Sequence, residues 1–173
     1  MGIISKMILK IRHRRNPVDY WRRLGCKIGE DAEIYQSATF GTEPYLVKLG
    51  NHVRINEHVT FITHDGGVWV LRKLYPELND IDLFRPITVG DNVHIGNNTI
   101  VMPGVNIGSN CIIGCGAVVT KDIPDNSIAV GVPARVIETV DEYVKKHSDD
   151  FVHTKKMSAE EKKKILLKEY AES

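Results

Sequence analysis

Residues 86–135 read PITVGDNVHIGNNTIVMPGVNIGSNCIIGCGAVVTKDIPDNSIAVGVPAR, and the stretch repeats every six residues. Val89, Ile95, Val101, Ile107, Ile113 and Val119 stand six apart, and glycine follows four of them, at Gly90, Gly96, Gly108 and Gly114. Four residues after each comes a second small or aliphatic side chain: Val93, Thr99, Val105, Cys111, Ala117 and Ile123. A period of six suits neither a 3.6-residue helix nor a single two-faced strand. It suits short strands separated by turns, each sending one aliphatic side chain inward. Three such strands complete one triangular coil, and stacked coils share a continuous core. The stretch therefore predicts a parallel β-helix and an all-β fold class.

Upstream the same rhythm runs through Ile28, Ile34 and Phe40, with Ala32 and Ala38 at the small positions. It restarts three residues out of phase at Leu49, Ile55 and Phe61, so Gly41 to Tyr45 must bulge from the coil. A longer interruption spans 64–85, polar and aromatic, with Asp65-Gly66-Gly67, Trp69 and Tyr75-Pro76. A structureless excursion of that length in a compact domain is usually functional. It is expected to project from one corner, beside the site.

The ends read as helical. Ile3, Ile4, Met7, Ile8 and Ile11 form one stripe, with Lys6, Lys10, Arg12, Arg14 and Arg15 on the polar side. The favoured reading is a helix covering the open first coil; the alternative is weak contact with an anionic membrane surface. Asn16-Pro17 breaks this helix, and Val18 to Leu24 forms a second one ended at Gly25. After Pro133, helices are predicted over Glu138 to His147 and Ser158 to Glu172, the latter opened by a Ser158/Glu161 capping box. The expected organisation is a helical cap over 1–25, a β-helix over 26–137 and a helical segment over 138–173.

At 173 residues the chain suits one domain, and a formal charge of +1 supplies no field to recruit nucleic acid. Three cysteines without finger spacing read as reduced thiols. With no membrane-span-length apolar run and no signal peptide, a cytoplasmic protein is expected.

Val118-Val119-Thr120-Lys121-Asp122-Ile123-Pro124-Asp125-Asn126, followed by Gly131-Val132-Pro133-Ala134-Arg135, resembles the closing segment of the galactoside, maltose and related sugar O-acetyltransferases. Serine acetyltransferases carry a related ending. The similarity covers roughly residues 25 to 138. It implies a left-handed parallel β-helix, an exception to the usual right-handed crossover, assembled as a homotrimer. It also implies acetyl-CoA as co-substrate, lying in a groove between parallel coils of two subunits. By that resemblance Thr120 meets the adenine end, while Lys121 and Arg135 supply positive charge to the nucleotide phosphates. Small residues at Cys115, Gly116 and Ala117 let the backbone approach the pantetheine arm.

His64 follows the strand Phe61-Ile62-Thr63 and precedes the excursion that ends in Pro86-Ile87-Thr88-Val89-Gly90, where the family keeps its general base. Acyl transfer from a thioester to a hydroxyl needs a base near neutral pKa, and histidine supplies one. Glu43, in the bulge, is the expected carboxylate that orients the imidazole or grips the acceptor; relatives usually have aspartate there. Asn97, where relatives carry a small polar residue, is expected beside the thioester as an oxyanion donor. His94 departs from the family's tryptophan.

His52, His58 and His64 are also six apart and invite a metal reading. Six-residue neighbours on such a coil face different sides, so no metal is expected. A γ-type carbonic anhydrase or a non-catalytic scaffold remain alternatives from other classes, as does transfer to an amino group or to serine. Cys111 and Cys115 are assigned to packing or groove lining, so transfer is expected to be direct. The resulting expectation is an acetyl-CoA-dependent O-acetyltransferase acting on a sugar or saccharide-like hydroxyl.

Overall fold

The computed structural model describes residues 16–171. The strongly basic stripe predicted over residues 2–15 lies outside the described residues. In chain order the first strands are β1 (Lys27–Ile28), β2 (Glu33–Ile34), β3 (Val47–Leu49), β4 (Val53–Ile55) and β5 (Thr60–Phe61). Beyond the excursion come β6 (Ile87–Val89), β7 (Val93–Ile95), β8 (Ile100–Val101), β9 (Asn106–Ile107), β10 (Cys111–Ile113) and β11 (Val118–Val119). The last two are β12 (Ser127–Val130) and β13 (Arg135–Thr139).

These strands are dealt in rotation to three sheets. The first is β1-β3-β6-β9, the second β13-β12-β10-β7-β4-β2, and the third β11-β8-β5. Every pairing is parallel except β12 with β13, which is antiparallel. Register measures each circuit. Thr88 pairs with Asn106, Ile112 with His94 and Val118 with Ile100, all 18 residues apart. The bulge lengthens the first circuit to 21, as Lys27 pairs with Lys48. The excursion lengthens the next to 40, as Arg54 pairs with His94. The 22 residues beyond 18 are the span 64–85. Both insertions leave the flanking strands in register.

All six leading positions of the repeat are buried, from Val89 at 1% exposure to Val119 at 0%, and so are the six following small positions. Burying each aliphatic side chain stabilises the fold by about 1.5–3 kcal/mol. Along the third sheet Phe61 pairs with Val101 and Val101 with Val119, giving a file of inward side chains. Phe40 stacks under Phe61 at 4.7 Å, and Trp21 lies 4.7 Å from Phe40. Trp21 comes from helix α1 (Pro17–Arg23), so this helix closes the first circuit with an aromatic lid. Asn16 accepts from the Asp19 amide and Pro17 opens the helix, so the Asn-Pro pair starts a helix here.

Between the first and second sheets the corners are held by a polar ladder. His52, Asn92, Asn110 and Asn126 all have positive φ, between 53° and 56°. Asparagine tolerates this conformation because its side chain bonds locally. Their side chains join in file: His52 Nδ1 to Asn92 at 2.8 Å, Asn92 to Asn110 at 2.9 Å, Asn110 to Asn126 at 3.0 Å. A parallel file runs beside it, with Asp91 accepting from the Asn51 amide and Asp125 from the Ser109 amide. Gly90 and Gly108 sit at this corner for want of space: a Cβ on Gly90 would lie 2.7 Å from the Ser109 nitrogen.

The all-β expectation needs correction at the excursion, while helices follow the last strand as expected. The excursion is not structureless, since it contains helix α2 (Val68–Leu74) and a 3-10 turn, Pro76–Leu78. After β13 the chain enters helix α3 (Val140–His147). The chain forms two compact units, one ending at Tyr143 and the other beginning at Val144. The second holds the 3-10 turn Ser148–Asp150 and helix α4 (Ala159–Glu169), opened by the expected reciprocal Ser158/Glu161 capping box. Among the described residues, no helix is long and apolar enough to cross a membrane.

Candidate active site

The site grows from the point where β5 meets the excursion. Alternation along the strand turns Phe61 and Thr63 inward, both 0% exposed, and turns His64 outward. The excursion leaves and returns through one antiparallel contact. His64 bridges Phe84, the Asp65 amide donates to Leu83 and the Arg85 amide donates to Thr63, each at 2.9 Å. This tie fixes the backbone of His64 although 22 residues intervene before β6.

Glu43 arrives from the bulge one circuit below. Gly41, at φ 64°, turns the chain out, and Pro44 begins a 3-10 turn that directs the carboxylate back. Glu43 Oε2 accepts from Thr63 Oγ1 at 2.8 Å and faces His64 Nδ1 at 3.1 Å. Its Oε1 accepts from Thr42 Oγ1 at 2.5 Å. The Thr42 hydroxyl above all, then Thr63 and His64, hold this carboxyl below the usual carboxylate range, against the opposing effect of burial. An ionised carboxylate only accepts hydrogen bonds, so the neutral His64 carries its proton on Nδ1 and leaves the Nε2 lone pair free. The Glu43 side chain is 14% exposed and that of His64 44%, so the imidazole is open to reactants while its partner is sheltered. Phe84 meets the imidazole edge-on, with centroids 6.1 Å apart.

His64 stands between two clefts. One, of about 470 Å³, is lined by Ile62, Arg85, Met102, Pro103 and Thr120 as well as His64. Ile62, Met102 and Thr120 follow β5, β8 and β11 at equivalent positions, so this cleft climbs three circuits along one edge of the third sheet. The other, of about 350 Å³, is bounded by Thr42 and Glu43 below and by the excursion's Trp69, Arg72, Asp82 and Phe84.

Of the residues singled out by sequence, His64, Glu43 and Thr120 thus gather around this edge. Lys121 follows Thr120 and is exposed. The Gly131–Ala134 segment lies against β11, since Val118 donates to Gly131 at 3.0 Å and Ala134 to Val118 at 2.8 Å. Arg135 is therefore held at the same end, exposed, with Nη1 donating to the Ala134 carbonyl at 2.9 Å. Asn97, Cys115 and Gly116 lie elsewhere. They precede β8 and β11 and so occupy the opposite edge of the third sheet. There the Gly116 amide donates to the Asn97 carbonyl at 2.8 Å and the Gly114 amide to Ala129 at 2.9 Å. These two amides are committed within the fold, so the segment offers close approach more than free donors. Ala117 is 0% exposed and presents no surface, its carbonyl accepting from the Ile100 amide at 2.9 Å.

His94 sits on β7 beside Arg54, and burial, then the Arg54 charge, lowers its pKa. The three evenly spaced histidines diverge: His52 follows β3, His58 follows β4 and His64 follows β5, one at each corner. Burial pushes the Cys26 thiol up to about 12 and also raises Cys111, which keeps both protonated and unreactive. Sequence reasoning missed Thr63, Thr42 and Phe84. The inward parity of Thr63 with Phe61 was a readable signal; Phe84, twenty positions from His64, carried none.

A model of the bacterial transferase hexapeptide family (six repeats) matches residues 86–121. The Staphylococcus aureus protein named CapG is 46% identical over 172 residues, 98% of either chain. The galactoside O-acetyltransferase of Escherichia coli (strain K12) is 43% identical over 101 residues, 58% of this chain and 47% of that one, so the match spans about half its length. Among solved structures, a galactoside acetyltransferase in complex with coenzyme A superimposes with TM-score 0.64 at 29% identity, covering 82% of each chain. A maltose O-acetyltransferase from Clostridium difficile 630 gives TM-score 0.55 at 30% identity, covering 70% of this chain and 73% of that one.

Proposed function

Because this chain belongs to the hexapeptide-repeat acetyltransferases, we propose that it moves an acetyl group from acetyl-CoA directly to a hydroxyl of a sugar or saccharide-like acceptor, with His64 as general base. The observation that carries this reading is the imidazole held by Glu43 at 3.1 Å where two clefts meet. The climbing cleft suits the acetyl donor. Ile62, Met102 and Pro103 give apolar surface for a pantetheine arm, and Thr120, Lys121 and Arg135 lie toward its upper end for the nucleotide. The cleft under the excursion suits the acceptor.

In this reading Nε2 takes the acceptor's hydroxyl proton as its oxygen bonds to the thioester carbonyl carbon. The carbon–sulfur bond then breaks, and the same proton passes from Nε2 to the departing thiolate. Glu43 stabilises the imidazolium between these two events. No acetyl group rests on the enzyme.

The column winds left-handed and three copies assemble as a homotrimer. The division of candidate residues between two edges of the third sheet supports this assembly. Asn97, Cys115 and Gly116 of one copy meet His64 and Thr120 of another only across a subunit boundary, where Asn97 supplies an oxyanion donor.

The test is CoA release from acetyl-CoA with a panel of sugars, wild type against His64→Ala. Loss of a base contributes typically 10²–10⁴-fold, so turnover should fall by that order while native mass stays trimeric. Undiminished turnover removes His64 from the role.

A further inference from the structure

The cleft beneath the excursion has a composition that the acyl-transfer chemistry does not require. Its volume is about 350 Å³. At about 30 Å³ for each water-sized unit, this accommodates roughly a dozen non-hydrogen atoms, the size of one hexose ring. Its outer wall is aromatic. Trp69 is 73% exposed and Phe84 45%, both on the cleft's rim. A flat indole left open beside polar groups matches a pyranose, which presents C–H bonds on one face and hydroxyls around its edge; polarised C–H groups are attracted to the negative face of the ring.

The polar wall is acidic. Glu43, Asp65 and Asp82 line the cleft against one guanidinium, Arg72, so with a neutral imidazole two negative charges are left over. Arg72 is already engaged: Nε donates to the Ile81 carbonyl at 2.7 Å and Nη2 pairs with Asp82. This clamp holds the return limb of the excursion to helix α2 and sets the cleft's width. Asp65 is exposed and lines the cleft, and its Oδ1 accepts from the Gly67 amide at 2.8 Å.

We propose that the excursion 64–85 is the acceptor-recognition element and that it selects one uncharged pyranose ring, stacked on Trp69 and held at its hydroxyls by Asp65 and Asp82, over an acidic sugar of the same size. The inference rests on the reading of His64 as the base at the head of this cleft. A carboxylate on the ring would enter a site that already carries uncompensated negative charge, and its affinity should fall roughly tenfold or more.

The experiment pairs the methyl glycoside of a neutral hexose with the matching methyl hexuronide. Binding of each to the His64→Ala protein is measured by calorimetry, and initial rates are measured in wild type, Trp69→Ala, Trp69→Phe and Asp65→Asn. The neutral ring should bind at least tenfold more tightly than the acidic one. Trp69→Ala should raise the acceptor KM about tenfold while KM for acetyl-CoA stays within twofold, and Trp69→Phe should recover much of that rise. Asp65→Asn, which keeps the acceptor for the Gly67 amide, should narrow the neutral-to-acidic ratio.

Equal use of the two sugars, or an acceptor KM in Trp69→Ala within twofold of wild type, overturns the proposal while leaving His64 in place. A Trp69→Ala protein that changes native mass but not acceptor KM also overturns it, by assigning the indole to a subunit contact. Full turnover in His64→Ala would instead sink the underlying reading.

Discussion

Replacing Glu43 by glutamine tests the centre of the proposed site with little change of shape. The carboxylate receives three donors: the Thr42 and Thr63 hydroxyls and His64 Nδ1. A glutamine has one carbonyl oxygen for these three, and its NH2 must face either a threonine or the imidazole. Facing the imidazole, it forces Nδ1 to accept, moves the ring proton to Nε2 and removes the base. Even in the other orientation the imidazolium loses its charged partner. A hydrogen bond to a charged group contributes about 1.5–3 kcal/mol. Because the His64 side chain is 44% exposed, solvent screens the pair and the lower half of that range applies. At 1.36 kcal/mol per tenfold, kcat should fall about 10- to 45-fold, and by 100-fold or more where the tautomer flips. Glu43 does not line the climbing cleft, so KM for acetyl-CoA should stay within twofold. CoA release is best followed chromatographically, since the exposed Cys115 thiol would react with disulfide reagents. Nitrogen NMR of the labelled imidazole reports the tautomer in parallel. A Glu43→Gln enzyme with wild-type kcat, or a wild-type His64 protonated on Nε2, would refute the assignment.

Three further outcomes follow from the column. Ile95→Ala empties a fully buried position in the second sheet and should cost about 2–5 kcal/mol in chemical denaturation; a loss below 1 kcal/mol would mean that the file of inward side chains is not close-packed. Asn110→Gly keeps the positive φ but breaks the ladder, whereas Asn110→Ala loses both. Alanine should therefore be less stable than glycine by about 1 kcal/mol, and equal stabilities would show that the backbone there is unstrained. The His94 pKa is lowered in the folded state, so its contribution to stability is present above about pH 6.5, the unfolded value, and is lost as pH falls through the lowered folded value. Denaturation midpoints at pH 8 and pH 5 should accordingly diverge less in His94→Gln than in wild type, and parallel pH slopes would contradict the burial of that ring.

Much of the architecture could be read from spacing because each structural decision is made within six residues. Val89 through Val119 mark successive inward positions, and the out-of-phase restart at Leu49 corresponds to the three extra residues that register shows. His64 and Glu43 were singled out by the resemblance, which puts a histidine and an acidic residue at the two interruptions. Their contact was not, because the reach of a glutamate depends on how the turn at Pro44 returns it. The helix in the excursion was illegible for a different reason. Seven residues are too few to hold a helix alone, Gly67 offers no side-chain cap, and the only polar side chains in Val68–Leu74 are Arg72 and Lys73, both in the last turn. What steadies it includes the Arg72 contact with Ile81 and Asp82, nine and ten residues along, and no local pattern announces such a pairing. The separation of Asn97 from His64 follows from the three-sheet rotation.

The reversed direction of β13 has a consequence for solubility. A column of parallel strands ends in unsatisfied backbone that could seed the next column, molecule upon molecule, into a filament. At the top of the second sheet the chain folds back on itself, so β12 is matched by a strand of opposite polarity from its own polypeptide. A newcomer arriving in the orientation of the repeat finds the edge of β12 already taken and meets instead a strand of reversed polarity.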